Sequence, residues 1–336
     1  MLIEPTYLVA GQLQRDILLP ADGQPQIDVP GGEPLYAAAG MLVWDKGVGV
    51  LARVGEDYPR DWFSTFKKKG LDVRGVRILP EPMDLRNFLA YDGQNKLQQN
   101  NPVAHFSRLG FPLPKVLLGF QPPTQTNELQ IKVADPSPRP MDIPSDYFDA
   151  KRVHLCGMEF PSASRLVSCF REANISTLTL DPQSNWMQPT RWNEIILILN
   201  GLSAFLPSEE DLRALFWGKT DDLVEMMKAI ADQGCDLVVV KCGSRGQILY
   251  DGCSHKCWQI PAYPVQQVHP TGAGASFCGG FLAGYHLTYD PLQAVLHGNI
   301  SASLTIEGVS VFHPLEAAPG LAKARLNSMK DRLREI

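Results

Sequence analysis

No stretch of this chain is apolar over enough residues to span a bilayer, so membrane-crossing helices are excluded. An excess of positive charge is also missing. The 31 Lys and Arg face 36 Asp and Glu, and the one basic run, Lys67-Lys68-Lys69, ends a predicted helix where it reads as a solvated face. Nucleic-acid binding, which needs clustered positive charge, is therefore not expected. The N-terminal residues lack the charged start and long apolar core of a secretory signal. Cysteine is too sparse and too irregular for a disulfide framework: seven residues, an odd number, stand in apolar contexts such as Val240-Lys241-Cys242. Free thiols in a reducing cytoplasm are the expectation. Internal repeats, low-complexity segments and a G-x-x-x-x-G-K-[ST] phosphate loop are all absent.

What remains is an ordinary globular composition, 44% hydrophobic and 20% charged over 336 residues. Strand and helix signals alternate along it. Short apolar runs at 7–10 and 48–54 read as buried strands, with helices expected at 33–44 and 59–69, the second stopped by Gly70. Residues 16–29 alternate polar and apolar around Pro20 and Gly23 and suggest a hairpin standing off the main sheet. Residues 93–150 hold nine of the 27 prolines and little periodicity, which predicts an irregular excursion. Further on, strands are expected at 153–156, 176–180, near 204 and at 236–241, with helices at 162–172, 190–199, 209–217 and 221–233. A hairpin at 247–251 and 256–260 follows, then helices opening at Gly272, Pro291 and Pro314. Alternating βα units predict a parallel sheet covered by helices. Cys253-Ser-His-Lys-Cys257 could offer two thiolates and an imidazole to a metal, but the spacing fits a hairpin tip better.

The segment from Val268 to Phe281, VHPTGAGASFCGGF, carries the most chemistry. It reads as a glycine-rich turn opening a helix. The backbone N–H groups of Gly272, Ala273 and Gly274 would face outward at the positive end of the helix dipole, where a phosphate is stabilised. Glycine at 272 and 274 lets the backbone approach an anion without an intervening Cβ.

This stretch resembles the D-T-x-G-A-G-D-x-F signature of the PfkB/ribokinase family of carbohydrate and nucleoside kinases, matching at Gly272, Ala273, Gly274 and Phe277, with Thr271 one place after the pattern's Thr. Two of its departures bear on the chemistry. His269 stands where the family has its first Asp, and Ala275 where it has its catalytic base. A charged imidazole at 269 would repel the monovalent cation found in parts of the family. Other segments extend the resemblance. Gly11 to Asp16 resembles the first loop, whose Asp holds substrate hydroxyls. Gly31-Gly32 resembles the sugar motif G-G-x-x-x-N, with Tyr36 at the Asn position. VGED at 54–57 and GLDV at 70–73 resemble the V-G-D-D and L-x-x-x-G-V-D segments. Pro207-Ser208-Glu-Glu-Asp211 resembles P-N-x-x-E near metal and phosphates, and Lys241-Cys-Gly243-Ser-Arg-Gly246 the turn lining the nucleotide phosphates. Asn299 falls where the family has an Asn beside adenine.

The resemblance implies a Rossmann-like three-layer α/β/α sandwich of ribokinase type in a single domain. A small β-sheet lid would come from about 12–30 and 72–118, and its face is where a homodimer would form. It implies ATP and Mg2+ as cofactors, with Asp211 as a metal ligand, and a sugar or related polyol as the small-molecule substrate. Lys241, Gly243, Gly246 and Asn299 would line the nucleotide; Asp16, Gly31, Gly32 and Tyr36 would line the acceptor. With alanine at 275, two activities are expected to compete: weak or altered phosphorylation of a hydroxyl, or nucleotide and sugar binding without turnover. Asp16 is the one nearby carboxylate the sequence nominates as a substitute base.

Overall fold

The computed structural model describes residues 5–21, 23–94, 96–122 and 136–336. Part of the proline-rich excursion therefore lies outside the described residues. The remainder forms one large sheet with helices on both faces and a second, four-stranded sheet. Strands Tyr7–Ala10 and Val48–Val54 are buried at every position, as the interior of a parallel sheet covered on both sides requires. From one edge, the parallel strands run Leu71–Asp72, Val48–Val54, Tyr7–Ala10, Arg152–Leu155, Thr177–Leu180, Ala204–Phe205 and Leu237–Lys241. The hairpin Gln247–Asp251 and Lys256–Ile260 then continues the sheet antiparallel, and Arg334–Glu335 adds a final edge strand. Cys253 lies in that hairpin's turn, and all seven cysteines are free.

From Tyr7–Ala10 the chain builds the sheet toward Val48–Val54; from Arg152–Leu155 it builds in the opposite direction. Chain order thus reverses between these two neighbours. A crevice opens above the carboxyl ends of strands at such a point, and ligands of open α/β sheets bind there. Gly11, just past Tyr7–Ala10, is packed closely there, since a Cβ would come within 2.8 Å of Pro34 and 2.9 Å of Cys156.

The small sheet pairs Gln14–Leu19 antiparallel with Gln26–Gly31 and parallel with Arg86–Tyr91, which pairs in turn with Leu97–Gln98. The expected lid began its second part at 72, but Leu71–Asp72 and Val76–Ile78 pair with Val48–Val54 in the large sheet. Period-two patterning cannot say which neighbour a short strand will choose. The excursion's helix Pro102–Arg108 and the turn Lys115–Leu117 lie against one face of the small sheet. There Phe106 and Leu117 cover Ile17, Leu19, Phe88 and Ala90.

Most expected elements occur within a few residues of their predicted bounds. The helix placed at Pro314 is instead a 3-10 turn, His313–Glu316, and the helix proper, Leu321–Met329, begins after Pro319-Gly320. A proline at the start of a turn fits both forms.

Candidate active site

Two helices begin side by side above the crevice. Gly272 caps Ala273–Thr288 in the left-handed region (φ +77), and a Cβ there would run into the ring of Tyr36. Tyr36 belongs to the other helix, Glu33–Leu42, which follows Gly31-Gly32. Of the three backbone donors expected at 272–274, that of Ala273 turns back to the Pro270 carbonyl at 3.2 Å. The N–H groups of Gly272 and Gly274 have no protein partner among the described residues and remain for an anion.

Lys241 ends the strand Leu237–Lys241, and its Nζ would lie 3.6 Å from a Cβ on Gly274, directly against the helix start. The ammonium pairs with Asp181, at the end of Thr177–Leu180, and lies 3.7 Å from the Cys278 thiol. Burial pushes the Lys241 pKa down, but the neighbouring carboxylate outweighs it and holds the group above its usual range, so Lys241 stays charged. Asp181 is pulled up by burial and back down by that ammonium.

The side of the crevice under the small sheet is built around Asp16. Its side chain is 1% exposed. The Asn87 amide donates to Oδ1 at 3.0 Å, and the Gly32 N–H also reaches the carboxylate. Gly31 must be glycine, because a Cβ would collide with the carboxylate. Burial raises Asp16 to about 7, and those two donors offset only part of the effect. The negative charge of Asp16 is felt by the hydroxyls of Tyr36 and Tyr91, which link it to the helix start at Gly272. Tyr36 lies against Gly272, and Tyr91 shares a 2.6 Å hydrogen bond with Thr271. The Tyr36 hydroxyl itself is buried with no partner among the described residues.

Beyond Lys241 a cavity of about 930 Å³ extends past Gly243, Arg245, Tyr263 and Asn299. Gly243 takes a positive φ in its wall, and Gly246, also at positive φ, lies outside the lining and packs against the 260–262 backbone. Asn299 donates to Gln247 and to the Pro261 carbonyl, each at 2.8 Å, and accepts from the Tyr263 N–H at 2.9 Å. Its amide thus braces the 261–263 segment of the wall and has little left for a ligand. Ser208 and Asp211 form a reciprocal helix cap, with Asp211 Oδ2 accepting from the Ser208 N–H at 3.1 Å.

His269 is 2% exposed, and burial lowers its pKa. The ring is therefore neutral, and the charge repulsion expected from an imidazolium there does not operate. Ala275 is 6% exposed and packs in the same apolar cluster as Leu35 and Tyr36.

Two groups at the crevice escaped sequence reasoning. Asp181 is one; an acid closing an apolar strand run was the available signal. Glu33 is the other. It opens its helix directly after Gly31-Gly32, stays open to solvent, and accepts the Gly157 N–H at 2.7 Å. The residue as a whole reaches solvent, but desolvation of its carboxyl between the cleft walls, then the charge of Asp181, raises the carboxyl to about 7, with Lys241 acting the other way.

A carboxyl-edge crevice, a glycine-opened helix and a small sheet beside them define the ribokinase-like α/β class. The structure overlays a putative ribokinase II of E. coli in complex with ATP and Mg2+ with TM-score 0.70 at 16% identity, over 97% of this chain and 100% of that one. The chain belongs to the pfkB family of carbohydrate kinases, whose profile matches residues 130–318. Among curated relatives, a cytidine kinase of Thermococcus kodakarensis is 25% identical across 83% of this chain and 87% of its own length. A fructoselysine 6-kinase of Escherichia coli is 31% identical across 38% of this chain and 44% of its own length.

Proposed function

We propose that this protein transfers the terminal phosphoryl group of ATP to a hydroxyl of a sugar, nucleoside or related polyol. The observation that carries this is the pairing, across Tyr36, of a charged Lys241 at an open helix start with a buried carboxylate, Asp16. The first arrangement suits phosphate; the second accepts from hydroxyls. Asp16 fixes the acceptor's orientation, and the unpartnered Tyr36 hydroxyl completes the contact. Lys241 and the N–H groups of Gly272 and Gly274 stabilise charge on the phosphates, and the cavity beyond takes the nucleoside.

Among the described residues no three His, Cys, Asp or Glu side chains gather into a metal cage. Mg2+ does not need one, since it ordinarily keeps waters and takes one or two carboxylates with phosphate oxygens. Asp211 is the carboxylate we assign to it, with one oxygen already engaged in the helix cap. When bound with ATP, Mg2+ supplies neutralising charge on the phosphates.

Ala275 favours a second reading, binding without turnover. Release of ADP from MgATP, followed with a panel of pentoses, hexoses, polyols and nucleosides, separates the two. Acceptor-dependent ADP release supports the kinase. A nucleotide-induced melting shift with no ADP release from any acceptor refutes it and leaves the binder.

A further inference from the structure

We propose that Glu33 is the general base of this site, supplying from the neighbouring helix the carboxylate that position 275 lacks. The proposal rests on the phosphotransfer reading above. Its ground is position. The helices Glu33–Leu42 and Ala273–Thr288 start together, with Tyr36 against Gly272 and Gly40 against Ser276. An acid in the first turn of one can therefore serve the space in front of the other. Glu33 stands over the crevice where chain order reverses, anchored through Oε2 to the Gly157 N–H, which leaves Oε1 to accept a proton.

The charged side chains that act most on it come from separate elements: Asp181 follows one strand, Lys241 ends another, and Asp211 lies on the helix Glu209–Leu215. Lys241 also touches the helix start at Gly274, so the carboxylate and the phosphate site share one cation. Asp16 is the weaker choice for a base: it is sealed from solvent and already accepts from Asn87 and Gly32. Glu33 is open to solvent, and a base needs that to discharge its proton.

The step balances without a further reactant. The acceptor's O–H proton passes to Glu33 as the acceptor oxygen bonds the terminal phosphorus, and the bond from that phosphorus to the ADP oxygen breaks. The carboxylic acid then releases its proton to water. The carboxyl's pKa near 7 suits this role, because a base works best when its pKa lies close to the working pH.

The test uses the full chain, MgATP and whichever acceptor of the panel is turned over. Wild-type kcat, measured at saturating acceptor so that ionisation of Asp16 in the free enzyme does not enter, should rise as pH increases through about 7, as Glu33 loses its proton. Glu33→Gln keeps an acceptor for the Gly157 N–H. It should lower kcat by ~10²–10⁴-fold, lose that pH-dependent rise and keep the melting shift given by MgATP. A flat wild-type profile overturns the proposal without any variant. So does a Glu33→Gln protein with wild-type kcat, one that keeps the pH-dependent rise, or one that has lost the MgATP shift. A wild-type protein inert toward every acceptor instead removes the phosphotransfer reading itself, and the base with it.

Discussion

Asp16 shows how one residue links function to stability. Its carboxyl ionises near 3.9 in an unfolded chain and about 7 in the native one. Between those values the native state binds the extra proton, so stability falls as pH rises from about 4 to about 7 and the loss is complete above that. Asp16→Asn removes the penalty. Against wild type it should be more stable by about 1–3 kcal/mol at pH 8 and nearly equal at pH 4, read from melting curves, while losing acceptor turnover. Equal stability differences at both pH values would mean that Asp16 is not desolvated. Asp16, Gly31 and Tyr36 could be named from the sequence because motif spacing carries them. Glu33 could not: a first-turn acid is what any helix prefers, so its position over the crevice leaves no separate mark. Asp181 was hidden for a different reason, its partner Lys241 lying 60 positions away.

At the scale of elements, strand ends set the chemistry. Lys241 and Asp181 both close parallel strands of the large sheet, and their side chains meet in front of the glycine-opened helix. Lys241→Met keeps the length of the side chain and removes the charge. It should cost about 3–5 kcal/mol, since a buried carboxylate is left unpaired. Asp181 would then hold a proton to higher pH, so the deficit should widen as pH rises and its ionisation becomes increasingly costly. The melting shift with ATP should shrink as well; an unchanged shift would remove Lys241 from the phosphate site. The elements themselves were mostly legible. Apolar runs marked Tyr7–Ala10 and Val48–Val54, and Gly70, at φ +95, stops its helix as expected. What the sequence concealed was pairing. Arg86–Tyr91 reaches across the chain to lie parallel to Gln14–Leu19, a non-local choice that leaves no local signature.

For the whole molecule, the small sheet is decisive. One face turns to the cleft with Asp16, and the other is covered by the chain's own 102–120 segment through Phe106 and Leu117. While that segment stays in place, this face is not available to the homodimer expected from the resemblance. The protein should run as a monomer in light scattering. Phe106→Glu should uncover Ile17, Leu19 and Phe88 and drive self-association; a wild-type dimer sensitive to that change would contradict the covering role.

That covering has a consequence for how the protein responds to concentration. Cooperative saturation requires one site to bias another through a shared interface. Where each small sheet is finished by its own chain, occupancy of one cleft is invisible to every other. A monomer of this kind should therefore saturate hyperbolically with either ligand, its output following supply in proportion at low concentration, and a sigmoidal saturation curve would point to coupled sites.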